Sequence, residues 1–388
     1  MSKILTFDTE ATGATNGTKG NPFTTPNRLC AISYVAADNS DVLPVEITSA
    51  PYGSSIDRFR SLVDSHDLLV GFNIKYDLHW IKRYGINFRN KKIWDTQLAE
   101  FIIQAQSIPN PSLQGVSTSY GMDGKLDVVK RDFWDQDLDT DQVPWDILYE
   151  YALQDAHLTH QIYLKQQAHL KSFPQMWKLI WLSCQDILTT QEMEWNGLKY
   201  DMGLSRRKGE LLHSTVSEMG QSLQELSNCP VELDFNSKDH LSALLYGGTV
   251  KKKERITYPF TYKDGRSMDK SRWEIRSYTL PRLVEPLRGT EHKKGGYWET
   301  NEKTLNSLRS SRRVKEIIKL ILERNKTTKL VGTYYEGIPN IYREYMWEDE
   351  IIHGNLNHCR TRTGRLASSK PNQQNMSEEV LECITTRF

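Results

Sequence analysis

Apolar and polar residues alternate along Lys3–Glu10, with Leu5 and Phe7 on one face and Ile4, Thr6, Asp8 and Glu10 on the other. That period of two predicts a strand. A Gly- and Thr-rich turn region follows over Thr12–Pro26, and Leu29–Ala36 and Val42–Ile47 predict a second and a third strand in a meander. Helical spacing appears over Ser55–Asp64. Leu68–Phe72 has the length of a short apolar strand, after which Asn73 is placed to cap a helix running through His79 and Trp80. Thr96–Gln104 reads as a helix with Asp95 in the cap position, and Asp132–Asp141 as an exposed acidic loop. Pro144 and Trp145 then introduce a long helix, Asp146–His169. Strands alternating with helices predict a mixed α/β domain over residues 1–170.

The pattern changes after Phe173. Helices are expected from Pro174 to about Trp195, where Asn196–Gly197 makes a turn, then over Ser205–Leu226 and Lys238–Tyr246. Residues 251–298 are rich in Gly, Pro, Tyr and charge, with 13 Lys+Arg against 6 Asp+Glu. They predict an extended β-hairpin insertion or a mobile loop. Helices resume over Asn301–Leu308 and Val314–Val331, and Ile351–Phe388 opens on a short strand before becoming polar and rich in turns.

Composition narrows the class. The 388 residues suffice for two or three domains, and ten Trp with eighteen Tyr supply large apolar area to a moderately polar chain. The formal charge of +1 hides an asymmetry, since residues 1–165 carry a net −6 and the remainder +7. Such a division suits a cation-binding site followed by a surface for a polyanion. Cys30, Cys184, Cys229, Cys359 and Cys383 form no Cys-x-x-Cys pair, so neither zinc nor a disulfide framework is expected and a reducing cytoplasm is the simplest compartment. No leader-like segment and no apolar run of membrane-spanning length is visible.

The candidate chemistry lies in the first part. Asp8 and Glu10, two apart on a strand, project from one face, and carboxylates that close repel unless a cation lies between them. Gly13 leaves room for a substrate backbone. Asp77 sits one turn into its helix, and Tyr151 and Asp155 are neighbours at i and i+4 on another. His157 and His160 read as surface or packing histidines. Each fragment alone is unremarkable. Together, Asp8-x-Glu10, Asn73-x-x-Tyr76-Asp77 and Tyr151-x-x-x-Asp155 resemble the three exonuclease motifs of the DEDD exonucleases, the tyrosine marking the DEDDy branch.

That resemblance implies a 3′→5′ exonuclease with two divalent metal ions, Mg2+ or Mn2+, roughly 4 Å apart. Asp8 would bridge both ions, Glu10 and Asp155 would serve the one beneath the nucleophile, and Asp77 the second through water. Tyr151 would orient the attacking water, and Thr9, Asn73 and Tyr76 match positions that hold the terminal nucleotide.

Later segments resemble family A DNA polymerases, in family order. WNGLKYD (Trp195–Asp201) is similar to the start of their thumb, FNSKDHLSALLYGG to their Phe-Asn-x-x-Ser segment, and KLVGTYYEGIPN to the helix end before the palm. TRTGRLASSKPNQQN is close to their palm motif, departing at Ala367 and Gln373. Within it Arg365, Asn372 and Asn375 match positions that contact primer–template DNA. The implied fold is an α/β ribonuclease H-like exonuclease domain (1–170), a mostly α-helical thumb region with the basic insertion (171–350) and a truncated palm segment (351–388). The chain ends at Phe388, before the family's first palm aspartate, so either it is a truncation or a second polypeptide carries the rest of palm and fingers; the unpaired palm fragment favours that polypeptide as the expected partner beside DNA. A free-standing RNA-trimming exonuclease leaves the TGRLASSKPNQQN segment without a role, and a scaffold with a vestigial nuclease does not need all five site residues.

Overall fold

The computed structural model describes all residues except 1–2, 16, 18–19, 38, 48–54, 123, 125, 264, 294 and 387–388. The terminal Phe388 therefore lies outside the described residues. The chain divides into two compact units, Met1–Gly203 with Gly337–Phe388, and Leu204–Glu336.

The first unit is built on a five-stranded sheet ordered β3-β2-β1-β4-β5. Its strands are β1 (Ile4–Ala11), β2 (Leu29–Ala36), β3 (Asn39–Pro44), β4 (Leu68–Gly71) and β5 (Lys92–Asp95). β1 is central, antiparallel to β2 and parallel to β4. Both of its faces are covered, so Leu5 and Phe7 are fully buried and so is Thr6 on the opposite side. The third strand forms earlier than the apolar run suggests. The strand ends at Pro44 opposite Ala31; one further backbone bond, from the Val45 N–H to the Cys30 carbonyl at 2.6 Å, follows it, and Val45 and Ile47 are buried beyond the strand end.

The sheet is flanked by α1 (Ser55–Ser65), α2 (Lys75–Arg83), α3 (Thr96–Ile103), α4 (Leu113–Ser119), α5 (Val128–Asp132), α6 (Trp145–Leu170) and α7 (Pro174–Asn196). Asn73 does not cap α2 with its side chain. It takes a left-handed backbone conformation (φ 59°), and the N–H groups of Asn73 and Ile74 donate to Asp95 at 3.2 and 3.0 Å. The same carboxylate accepts from Gln97 and Leu98 at the start of α3. One buried acid therefore serves two helix starts. Burial pushes its carboxyl up to about 6 against the pull of those four N–H groups.

The acidic run Asp132–Asp141 is likewise more structured than a free loop. It contains the end of α5 and two single 3-10 turns, Trp134–Gln136 and Thr140–Gln142. Asp139 caps the second turn and also accepts from the backbone N–H of Gly13 at 2.8 Å and of Ala14 at 3.2 Å.

The C-terminal residues belong to this unit. A three-stranded sheet pairs β6 (Leu198–Tyr200) with β9 (Ile351–Ile352) on one side and β12 (Ile384–Thr385) on the other, while β10 (Asn355–Asn357) and β11 (Ala367–Ser369) make a small hairpin. α12 (Gly337–Glu344) precedes them and α13 (Glu378–Leu381) lies between β11 and β12. What ties this region to the large sheet is a buried polar knot around Glu194 of α7. Its carboxylate accepts from Lys75 Nζ at 2.5 Å, from His79 Nε2 at 2.8 Å and from the Leu356 N–H at 2.5 Å. Gln191 donates to the other ring nitrogen of His79 at 3.1 Å. Burial holds His79 below its ordinary pKa, so the neutral ring donates from Nε2 and accepts at Nδ1. Burial alone would raise Glu194, but the His79 hydrogen bond and the Lys75 ammonium overcome it and hold the carboxyl below the usual range.

In the second unit, α8 (Met202–Ser227), α9 (Lys238–Tyr246), α10 (Glu302–Asn306) and α11 (Arg312–Leu330) enclose a separate core containing Leu223, Leu245, Val314, Ile317 and Ile321. A two-stranded antiparallel ribbon, β7 (Gly248–Thr261) with β8 (Ser267–Leu280), projects from it. No helix among the described residues is long and apolar enough to cross a membrane.

Removing the Glu194 carboxylate leaves the Lys75 ammonium buried without its counter-ion. Glu194→Ala is expected to cost about 3–5 kcal/mol in denaturant unfolding at pH 7. Both shifted groups bind protons less readily when folded than unfolded, so their contribution is present at neutral pH. It is lost as pH falls through the histidine range and then the carboxylate range. In the variant the slope through the carboxylate range should be shallower while the slope through the histidine range persists, because burial still depresses His79 once Glu194 is gone; an unchanged slope in the carboxylate range would contradict the assignment.

Candidate metal centre

Three elements deliver the acids. Asp8 and Glu10 stand on β1, Tyr151 and Asp155 on α6, and Asp77 on α2. On α2 the spacing separates two tasks. Lys75 and His79, one turn apart, point to Glu194, while Asp77 between them lies about half a turn around and faces the opposite way. An open cleft of about 500 Å³ is lined by Asp8, Thr9, Glu10, Asn73, Tyr76, Asp77, Tyr151 and Asp155. The eight residues that the exonuclease motifs nominate thus share one cleft, whereas Gly13 is not among the residues lining it.

The carboxylates are not equivalent. Oxygens of Asp8, Glu10 and Asp155 lie within 4.8 Å of one another, a separation at which one cation can be shared. Asp77 is held beside this group by Thr9, whose hydroxyl and backbone N–H both donate to its Oδ1, at 2.6 and 3.0 Å. Thr9 can do this because β1 pairs with β4 only as far as Thr6, leaving the strand's outer half open to α2. Burial first, and then the neighbouring Asp8, push the Asp77 carboxyl well above the usual range despite the two Thr9 bonds. A buried cluster of this kind is stabilised by a divalent cation, and an all-carboxylate donor set suits hard ions such as Mg2+ and Mn2+.

Tyr151 is buried against the same group, and the edge-on ring of Trp134 stands 6.1 Å from it. Burial, with Glu10 and Asp155 adding to it, drives the phenol far above its ordinary pKa. The hydroxyl therefore stays protonated and is available to donate or to orient, not to abstract a proton. Tyr76 is raised in the same direction by burial, and its hydroxyl donates to the Gly20 carbonyl at 2.9 Å. His160 bonds Thr6 at 2.8 Å.

Arg365, Asn372 and Asn375 are not in this cleft. They are exposed on the turn-rich segment around the β10–β11 hairpin, where Thr361 donates to the Arg365 carbonyl at 2.6 Å. Sequence reasoning passed over Trp134, Gln97 and Leu113, which also line the cleft, and Asp139, which fixes the turn after β1. An aromatic residue inside the acidic run was the only signal for Trp134; Asp139 had none, because its partners are 125 and 126 residues away.

Comparison with known proteins agrees with this geometry. A family model described as "3'-5' exonuclease" matches residues 2–171, and one described as "DNA polymerase family A" matches residues 270–387. DNA polymerase I of Rhizobium leguminosarum is 24% identical over 346 residues, covering 86% of this chain and 28% of its own length. The DNA polymerase of Bacillus phage SP01 is 23% identical over 344 residues, covering 84% of this chain and 36% of its own length. The solved POL domain of Pol1 from M. smegmatis, in complex with DNA primer-template and dNTP, shares the fold with a TM-score of 0.65 at 14% identity, over 97% of this chain and 52% of that one. The fold and the matches define a 3′–5′ exonuclease domain joined to part of a polymerase domain. The chain resembles the N-terminal part of family A DNA polymerases, and it spans roughly a quarter to a third of the length of the curated relatives it matches.

The grouping of carboxylates ranks their importance for metal. In Mn2+ titrations, Asp8→Asn is expected to abolish measurable binding, whereas Asp77→Asn, outside the three-carboxylate group, should weaken it about tenfold. Equal losses in the two variants would show that the acids act as a single set.

Proposed function

We propose that the chain is a DEDDy-type 3′→5′ exodeoxyribonuclease that edits DNA 3′ ends for a polymerase, using two divalent ions. The observation that carries this reading is the convergence of Asp8, Glu10 and Asp155 within 4.8 Å, in a cleft that also holds Asp77 and Tyr151. Asp8, Glu10 and Asp155 would hold one Mg2+ or Mn2+, and Asp8 with Asp77 the approach of a second. When bound, the ions supply a water acidic enough to attack a phosphodiester and neutralise charge on the leaving oxygen. Tyr151, kept protonated, orients that water. Thr9, Asn73 and Tyr76, on the cleft wall, hold the terminal nucleotide, and the product is a nucleoside monophosphate.

Residues 1–170 then form the exonuclease domain, 171–350 the thumb and connecting helices, and 351–388 the beginning of the palm, with Arg365, Asn372 and Asn375 against primer–template. Polymerisation needs the rest of the palm and the fingers, which we assign to a second polypeptide in the same cytoplasm.

With 5′-labelled single-stranded DNA, Mg2+ should support stepwise shortening and EDTA should stop it. Asp8→Ala should lower the rate about a thousandfold, and Tyr151→Phe, with metal binding intact, about ten- to a hundredfold. Undiminished activity in Asp8→Ala would overturn the metal-site assignment. For the partner, the tagged chain isolated from its native host should bring down a polypeptide with palm and fingers, and primer extension should require it. Extension by this chain alone, or recovery of those parts on the same polypeptide, would refute the two-chain arrangement.

A further inference from the structure

The β7–β8 ribbon presents two chemically different faces. Its register places Lys252, Glu254, Ile256, Tyr258 and Phe260 on one face, opposite Arg276, Glu274, Arg272, Lys270 and Met268. Charge on this face is largely satisfied internally. Lys252 pairs with Glu232 at 2.8 Å, Arg276 with Glu254 at 3.7 Å, and Arg272 with Glu274. Lys270 lies over the Phe260 ring at 3.6 Å and Arg272 over Tyr258 at 5.4 Å.

On the other face Lys251, Lys253 and Arg255 form a row, opposite Ser277, Ile275 and Trp273. Among the described residues no carboxylate pairs with these three cations, and the face's one acid, Asp269, stands near the far end opposite Pro259. Trp273 is 62% exposed and Ile275 70%. Lys253 Nζ lies 5.7 Å from the centre of the indole, and Arg255 is steadied by a 2.8 Å bond to Ser271. At the root, Val250 and Leu280 are buried in the second unit's core, so the ribbon is anchored where it starts and bare where it extends. A two-stranded ribbon exposed on both sides is marginal in water, and an exposed indole between unpaired cations is costly unless something covers it.

We propose that the Lys251–Lys253–Arg255 face of the ribbon binds single-stranded DNA, with phosphates on the three cations and an unpaired base stacked on Trp273. Cations alone would suit any polyanion. The exposed indole favours a single strand, because in a duplex the base faces are already stacked on one another and a free base has a face to offer. The hydroxyls of Thr257, Ser271 and Ser277 on the same face are further donors to phosphate. The assignment rests on the reading of the chain as a DNA enzyme, but its site is separate from the carboxylate cleft.

The test uses the full chain with EDTA, which prevents cleavage, and fluorescence anisotropy of a labelled oligothymidylate and of a blunt duplex. Lys251→Gln/Lys253→Gln/Arg255→Gln should weaken single-strand binding at least tenfold and make the slope of log affinity against log salt shallower by about 2, from roughly 0.7 per lost contact. Trp273→Ala should weaken it about five- to tenfold and leave duplex binding unchanged. Unfolding midpoints should match wild type, since these side chains are exposed. Hydrolysis of a short thymidylate ester in Mg2+ should be unaffected in both variants, which separates failure of this proposal from failure of the nuclease reading. Unchanged single-strand affinity and salt slope would overturn the proposal. So would equal losses on both DNAs for Trp273→Ala, or loss of a co-purifying protein with DNA binding intact, which would reassign the face to a protein partner.

Discussion

Glu194 is the group on which the arrangement of the first unit turns. A carboxylate in that position is tolerable only while Lys75, His79 and the Leu356 N–H all reach it. Those three partners come from α2 and from β10, so satisfying one buried charge fixes the helix that carries Asp77 against the strand that pairs with β11 of the TGRLASSKPNQQN segment. The aromatic rings of Phe23, His79, Trp195 and His353 pack around the knot, with Phe23 stacked on His353 at 4.1 Å. The requirement is geometric as well as electrostatic: His79 keeps its donor toward Glu194 only as the neutral ring with Gln191 on its other nitrogen.

The carboxylate cleft is built on the same helix. α2 is located by Glu194 on one face and by Asp95 at its start, and on its remaining face it offers Asp77 to Thr9. The turn after β1 is set by Asp139, and Tyr151 is backed by Trp134. Asp77 and Tyr151 are therefore positioned by residues that are not themselves candidate ligands. Four carboxylates can be gathered in this way only if the scaffold resists their mutual repulsion, and Asp8 adds to burial in raising the Asp77 carboxyl.

The elements whose periodicity is long and regular were legible in the chain: β1, β2, α6, α7 and α11 lie within a few residues of the pattern that predicts them. Boundaries that depend on distant partners were not. Asn73 looks like a cap by local rules, yet its backbone is turned left-handed and the capping oxygen comes from Asp95. The run Asp132–Asp141 looks like a solvated loop because its charge is local information, whereas the contact of Asp139 with Gly13 is not.

The linear order of residues was enough to nominate the acids, the tyrosine and the basic insertion, because their chemistry is carried by residue type and short spacing. It could also place Asp8 with Glu10 and Tyr151 with Asp155, since strand and helix periods decide which neighbours share a face. Tertiary structure alone decided that Asp8, Glu10 and Asp155 form the tight group while Asp77 is held to one side by Thr9, and that Glu194 is the residue the helix of Asp77 leans on. Those facts depend on closures between residues 68 to 162 positions apart. Over such separations the chain's local preferences carry no information, and only the competition among buried charges and hydrogen bonds selects the partners.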